Sequence, residues 1–143
     1  MILLDTCILT AYAVPHHPKN EVVINRIVEF LLHESPEFTP VIAPQCLYEF
    51  YVVATRPVTA NGFGWTSEFT LKEIQSLESL FPVLNDSDDL LETWKKLIRQ
   101  FSVSGKTAHD TRLVAWMITH QISKLYTLNT ADFQRYNSII QVL

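Results

Sequence analysis

The chain lacks any long uncharged run. Its apolar stretches are short, as in Cys46–Tyr48 and Phe50–Ala54 around Glu49, and none approaches the roughly 18–20 residues that a membrane helix requires. Glycine is scarce, at three residues against seven prolines, which excludes collagen-like and glycine-rich linker sequences. Positive charge is also short: 11 Lys and Arg face 15 Asp and Glu, for a formal charge of −4. That balance argues against a protein that coats itself in nucleic acid or anionic lipid. Met1-Ile-Leu-Leu-Asp5 has no basic segment ahead of its apolar residues, so no secretory signal is expected and the expected location is cytoplasmic. The two cysteines, Cys7 and Cys46, sit among apolar neighbours and are expected to be buried small hydrophobes rather than a disulfide or a metal pair. No Cys-x-x-Cys, His-Glu-x-x-His or Gly-x-Ser-x-Gly occurs. Gly105-Lys-Thr107 is not a phosphate loop, because the first glycine of that motif would fall on Gln100. Gly62-Phe-Gly64 is not a dinucleotide fingerprint, because its third glycine would fall on Ser67.

What is present is a globular composition, 48% apolar and 18% charged over 143 residues. A single domain over 1–143 is expected, burying about 68–70% of the surface that the unfolded chain exposes. Ile2–Leu4 is a buried-strand candidate that delivers Asp5 at its end, and Cys7–Val14 begins a helix interrupted by Pro15 and Pro18. Over Asn20–Glu34, the apolar residues Ile24, Ile27, Val28, Leu31 and Leu32 predict one inward stripe of a helix. Val41–Ala43 predicts a second strand, with Pro44 suited to the first turn of a helix running to about Thr55. Thr70-Leu-Lys-Glu73 has capping-box spacing and opens a helix with Leu71, Ile74, Leu77 and Phe81 inward.

Pro82–Asn85 predicts a third strand, and Ser87 an N-cap for a helix lined by Leu90, Leu91, Trp94, Leu97, Ile98 and Phe101. A helix from Thr107 carries Leu113, Val114, Met117 and Ile118, and Leu125–Leu128 and Ile139–Val142 return as strands. Strands alternating with helices predict βα units and a mainly parallel sheet.

Four acids occupy positions where acids are costly. Asp5 closes the first strand, Glu49 lies among Leu47, Tyr48, Phe50 and Tyr51, Asp110 is in the first turn of the Thr107 helix, and Asp132 follows the Leu125–Leu128 strand. In an open α/β sheet such junctions gather over the carboxyl edge of the strands, where ligands bind. Carboxylates that converge there repel one another unless a cation lies between them. Oxygen donors without thiolate suit Mg²⁺ or Mn²⁺ better than Zn²⁺, and such a site meets the requirements of phosphodiester hydrolysis. Taken singly each acid has an ordinary reading: Asp5 as a turn residue, Asp110 as part of a capping box with Thr107, Asp132 as part of a turn. Glu49 is the hardest to explain that way, since a carboxylate beside buried positions needs a partner.

These residues resemble the PIN-domain ribonucleases, and among them the VapC-like toxins of bacterial toxin–antitoxin modules. The resemblance is carried by Ile2-Leu-Leu-Asp-Thr-Cys-Ile-Leu9, by Pro44-Gln-Cys-Leu-Tyr-Glu-Phe50, and most specifically by His109-Asp-Thr-Arg-Leu-Val-Ala-Trp116 with Leu125-Tyr-Thr-Leu-Asn-Thr-Ala-Asp-Phe133. It implies a three-layer α/β/α domain with a five-stranded, mainly parallel sheet. It also implies that Asp5, Glu49, Asp110 and Asp132 bind Mg²⁺ or Mn²⁺ for RNA cleavage. Thr6, Asn129 and Thr130 match supporting polar positions, and Arg112 a basic position for contact with phosphate or an antitoxin carboxylate. The implied partners are an RNA substrate, such as a structured tRNA, a cognate antitoxin and a second copy in a homodimer, with no membrane. The pattern departs at Asn137-Ser138, where relatives often carry Pro-Gly. Two alternatives stand beside the toxin: a housekeeping RNA-processing nuclease of the same fold, and a non-catalytic PIN-like module that binds RNA or protein. A phosphatase-like hydrolase is disfavoured because Asp5-Thr-Cys7 lacks an Asp-x-Asp nucleophile. Trp65, Lys19, Arg56 and Lys106 are candidates to steer RNA.

Overall fold

The computed structural model describes residues 1–143. Strand β1 (Ile2–Leu4) leads into helix α1 (Thr6–Ala13), and α2 (Asn20–Leu31) precedes β2 (Pro40–Val41). Helices α3 (Pro44–Thr55), α4 (Ser67–Leu80), α5 (Leu90–Gln100) and α6 (Thr107–Thr119) follow. Strand β3 (Lys124–Tyr126), the short α7 (Thr130–Phe133) and β4 (Gln141–Val142) complete the chain. All pairings are parallel in the order β2-β1-β3-β4, with Ile2 opposite both Pro40 and Lys124, and Lys124 opposite Gln141. Successive side chains of a strand point to opposite faces, and none of Ile2, Leu3 and Leu4 is exposed. Helices therefore cover both faces of the sheet, which is the expected three-layer arrangement.

The sheet has four strands rather than five. Pro82–Asn85 contributes a single parallel bridge, Val83 opposite Ile42, closed by Ile42 N–H donating to Pro82 O and Leu84 N–H donating to Ile42 O. The ladder cannot lengthen, because Pro82 has no N–H to donate and Pro44 turns the partner strand into α3 two residues after Ile42.

The inward face of α2 is also rotated from the expected one. Val23, Ile27 and Phe30 are buried, whereas Ile24, Val28, Leu31 and Leu32 are exposed. Apolar residues cover more than half of this helix, so periodicity alone does not choose the face. Packing does, with the Phe30 ring set edge-on to Tyr126 of β3 at 5.5 Å.

Helix α4 starts earlier than its capping-box spacing predicts. Thr66 Oγ1 accepts from the Phe69 N–H, while Thr70 is buried inside the helix with its hydroxyl donating to Thr66 O, and Leu71 is exposed. Ser87 does not cap α5: its hydroxyl is buried without a partner, and Asp89 occupies the cap position with no side-chain bond. Leu91 of that helix is exposed, and Trp94 is held by its indole N–H donating to Ala108 O. Trp116, Tyr136, Phe50 and Phe81 are the bulkiest fully buried side chains of one continuous core. No helix is long and apolar enough to cross a membrane.

The segment after α3 folds back along it. Phe63, Gly64 and Trp65 N–H groups donate to the carbonyls of Val53, Arg56 and Ala54, and Trp65 packs among Phe50, Phe63 and Phe69. Gly62 passes so close to the Arg56 backbone that a Cβ would lie 2.1 Å from its carbonyl oxygen. Gly62→Ala is therefore expected to lower stability by about 1–3 kcal/mol, read as a drop in melting temperature. Gly105→Ala is the comparison: its Cβ meets nothing within 4 Å and only the positive φ of 61° is strained. A smaller drop for Gly62→Ala than for Gly105→Ala would refute the close approach.

Candidate active site

Because the strands are parallel, their carboxyl ends open on one edge of the sheet, and the four acids reach that edge from four elements. Asp5 follows β1 and caps α1, its Oδ1 accepting from the Thr6 N–H at 2.7 Å. Its backbone N–H still donates to Tyr126 O, which fixes it to β3. Thr127, the residue after β3, donates its hydroxyl to Asp5 Oδ2 at 2.6 Å, and the Cys7 thiol donates to the same oxygen at 3.3 Å. Asp5 is only 7% exposed. Burial raises its carboxyl above the ordinary value, the bonds from Thr127, Cys7 and Thr6 oppose that rise, and the Glu49 charge adds to it.

Glu49 projects from α3, one turn beyond Gln45. Its Oε2 accepts from the Thr6 hydroxyl at 2.8 Å and its Oε1 from the Gln45 amide at 2.8 Å. Asp110 lies in the first turn of α6, where the positive end of the helix dipole favours an acid. Burial first, then the charges of Asp132, Asp5 and Glu49, push its carboxyl up to about 6, against a small opposing effect of His109. Asp132 is exposed on α7.

Asp5, Thr6, Glu49, Asp110, Asn129 and Asp132 all line one pocket of about 430 Å³. An adjoining hollow shares Glu49, Asp110 and Asp132 and adds Lys106 and His109. None of the five ion pairs in the structure involves any of the four acids. Arg56 is the one cationic side chain lining the pocket. In donor chemistry the set fits a hard divalent cation: all oxygen, negative, and unpaired with any base. In spacing it is open, since no three Asp, Glu, His or Cys side chains form a group that could hold an ion as they stand. The acids share a pocket without being drawn onto one point.

Two supporting residues lie elsewhere than expected. Thr130 lines a separate, larger hollow of about 710 Å³ beside the C-terminal segment, with Gln134 and Asn137 and no charged group. Thr130 is the first residue of α7, and it is Thr127 that supplies the hydroxyl meeting an acid. Arg112 points out of the acidic pocket, bonding Asp86 at 2.5 Å and Gln45 Oε1 at 3.0 Å. Among the candidates to steer RNA, Arg56 and Lys106 stand at the site, Lys19 does not line it, and Trp65 belongs to the aromatic cluster.

Cys46 is buried as expected, but Cys7 is only partly so and lines the acidic pocket. Burial and the Asp5 charge push its thiol up to about 11, so it stays a neutral donor to Asp5. It also accepts from the Leu128 N–H at 3.2 Å. Sequence reasoning missed Thr127, Cys7 and Gln45. The i, i+4 spacing of Gln45 and Glu49 was legible as one helix face and Cys7 lies two residues from Asp5, whereas Thr127 reaches Asp5 only by the folding of β3 beside β1.

No family model matches the chain, and no curated protein matches it in sequence. Solved structures match its fold over almost its whole length. The Mycobacterium tuberculosis VapC20 toxin, described as cleaving the sarcin–ricin loop, superposes with a TM-score of 0.69 at 14% identity, covering 99% of this chain and 97% of its own. VapBC-1 from nontypeable Haemophilus influenzae gives a TM-score of 0.71 at 21% identity, with 100% and 97% covered. A toxin–antitoxin complex from Klebsiella pneumoniae gives 0.62 at 21% identity, with 100% and 96% covered.

The raised Asp110 value sets a pH dependence. A carboxyl that titrates near 6 when folded and near 3.8 when unfolded lowers stability progressively as pH rises from the lower value to the higher, and by its full amount above about 6. Carbon-13 titration of the metal-free protein should give Asp110 a midpoint near 6, moved part of the way back to the ordinary value in Asp132→Asn. An ordinary midpoint in the parent protein would refute the raised value, and an unmoved midpoint in Asp132→Asn would refute the part assigned to the Asp132 charge.

Proposed function

We propose that this chain, which has the fold of the VapC toxins, is a Mg²⁺- or Mn²⁺-dependent endoribonuclease acting as the toxin of a toxin–antitoxin pair. The observation that supports it most is the gathering of Asp5, Glu49, Asp110 and Asp132 in one pocket with no ion-pair partner for any of them. Four uncompensated carboxylates are an unfavourable arrangement in a chain that binds nothing there. Bound cation would supply polarisation of a phosphate oxygen and a water of lowered pKa. Asp5, Glu49, Asp110 and Asp132 would be its ligands.

The chain's own residues divide this work. Asp5 and Glu49 are held in place on both carboxylate oxygens, by Thr6, Thr127, Cys7 and Gln45. Asp110 and Asp132 accept no side-chain hydrogen bond and are free to turn toward an incoming charge. Above about pH 6 Asp110 is ionised, which completes the negative pocket. Arg56 and Asn129, which line the acidic pocket, and Lys106, which lines the adjoining hollow, are the groups available to RNA phosphates.

RNA, a structured one such as tRNA, is the proposed substrate, and the likeness to toxin–antitoxin complexes supports an antitoxin as partner. The exposed apolar face of Tyr48, Val52 and Leu71 supports a homodimer. Cytoplasmic action suits two free cysteines. The open spacing of the acids favours one competing reading, a PIN-like module that binds RNA without cutting it.

Purified chain should cleave RNA with Mg²⁺ or Mn²⁺, lose cleavage in chelator, and arrest growth on expression. Asp5→Asn should reduce cleavage by at least about a hundredfold and relieve the arrest. Undiminished cleavage by Asp5→Asn would overturn the assignment. RNA binding with neither cleavage nor millimolar Mn²⁺ binding would establish the non-catalytic reading instead.

A further inference from the structure

A continuous chain of side-chain hydrogen bonds runs from the surface to Glu49. Asp86 Oδ2 accepts from Arg112 Nη2, Arg112 Nη1 donates to Gln45 Oε1, and Gln45 Nε2 donates both to Glu49 Oε1 and to the carbonyl of His109. Every polar atom of the buried Gln45 amide is used, and only one orientation of that amide works. Turned over, its oxygen would face a carboxylate and a carbonyl while its NH₂ faced a guanidinium. Arg112 thus fixes which end of Gln45 points at Glu49.

We propose that Gln45 is a positioning residue for Glu49, locked in place by Arg112 and Asp86. The choice of a neutral relay has a physical reason. A Lys or Arg at position 45 would neutralise Glu49 and compete with any cation for it. Gln45 instead passes on the pull of the guanidinium as a polarised N–H donor, while Asp86 takes up the Arg112 charge on the far side. Glu49 is oriented, with Thr6 on its other oxygen, and has no ion-pair partner. His109 is adjacent to Asp110, so the same amide also ties the start of α6 to α3 and sets the distance between two of the acids. Arg112 accordingly acts through Gln45 and not on a substrate phosphate.

This rests on the nuclease reading, and the test separates the two. Gln45→Leu, Arg112→Met and the double variant are compared with the parent for melting temperature, Mn²⁺ affinity by calorimetry, and RNA cleavage. Gln45→Leu is expected to lower kcat about tenfold or more and weaken Mn²⁺ about tenfold, with KM for RNA within about twofold. Arg112→Met should show a smaller change of the same kind, and Arg112→Lys should restore part of it. The double variant should be no worse than Gln45→Leu, because residues acting in series are not additive. Unchanged kcat and Mn²⁺ affinity in Gln45→Leu would overturn the proposal. So would multiplying effects with a raised KM in Arg112→Met, which would place Arg112 on the substrate. If Gln45→Leu fails to fold, Arg112→Met carries the same test. If the parent binds Mn²⁺ without cleaving RNA, the nuclease reading falls, and the Mn²⁺ affinities alone then decide for or against the relay.

Discussion

The structure turns on a carboxylate held at the end of a fully buried strand. Asp5 is almost wholly enclosed, in surroundings that oppose its charge, and three donors offset part of that opposition. Two of the donors, the Thr6 N–H and the Cys7 thiol, come from the first turn of α1, and the third, the Thr127 hydroxyl, from the residue after β3. The Thr127 bond exists only if β1 and β3 are parallel neighbours in register, Leu4 opposite Tyr126. Holding Asp5 and building the central sheet are the same structural event. Thr6 extends it, because the residue whose amide meets Asp5 donates its hydroxyl to Glu49.

Around that fixed pair the remaining acids are left unsatisfied. Asp110 is pushed up to about 6 by burial and by three like charges, and no base in the structure pairs with any of the four. The surface does contain cations, but Arg112 is taken by Asp86, Lys124 by Glu37, and Arg26 and Lys95 by acids on their own helices. Such an arrangement lowers the stability of the empty protein in exchange for a pocket of concentrated negative charge. Setting the four aside leaves 11 acidic against 11 basic residues, so the net charge of the chain is that of this pocket. An acidic protein can still engage RNA if it meets the phosphates through bound cations and a few rim bases.

Much of the architecture was legible because the signals were local. Pro44 in a first helical turn, Asp5 at the end of an apolar strand and the βα alternation are short-range patterns, and the parallel sheet follows from them. The readings that failed needed a partner to be decided. Pro82–Asn85 is extended as its composition suggests, but β2 ends too soon to pair with it. Apolar residues lie on both sides of α2, so of its expected stripe only Ile27 turns inward, and Phe30 against Tyr126 settles the face. Ser87 is a good capping residue by type, yet its hydroxyl is enclosed where no N–H reaches it.

The candidate site divides in the same way. The identity of the four acids was readable from sequence, because a carboxylate is energetically conspicuous at the end of a buried strand, as Asp5 is, or among apolar residues of a helix, as Glu49 is, and Asp110 and Asp132 open the helices on either side of β3. That they line one pocket follows from the parallel order of the strands. Thr6 was named with them, and the contacts that reach them from other elements were decided only by the tertiary structure. Thr127 reaches Asp5 across 122 positions of sequence, and Arg112 reaches Gln45 across 67. Hydrogen bonds require a particular distance and direction, and sequence specifies those only between residues on one element. Across elements they are set by packing, which is why the acids and Thr6 could be named from the chain alone while the parts played by Thr127 and Arg112 could not.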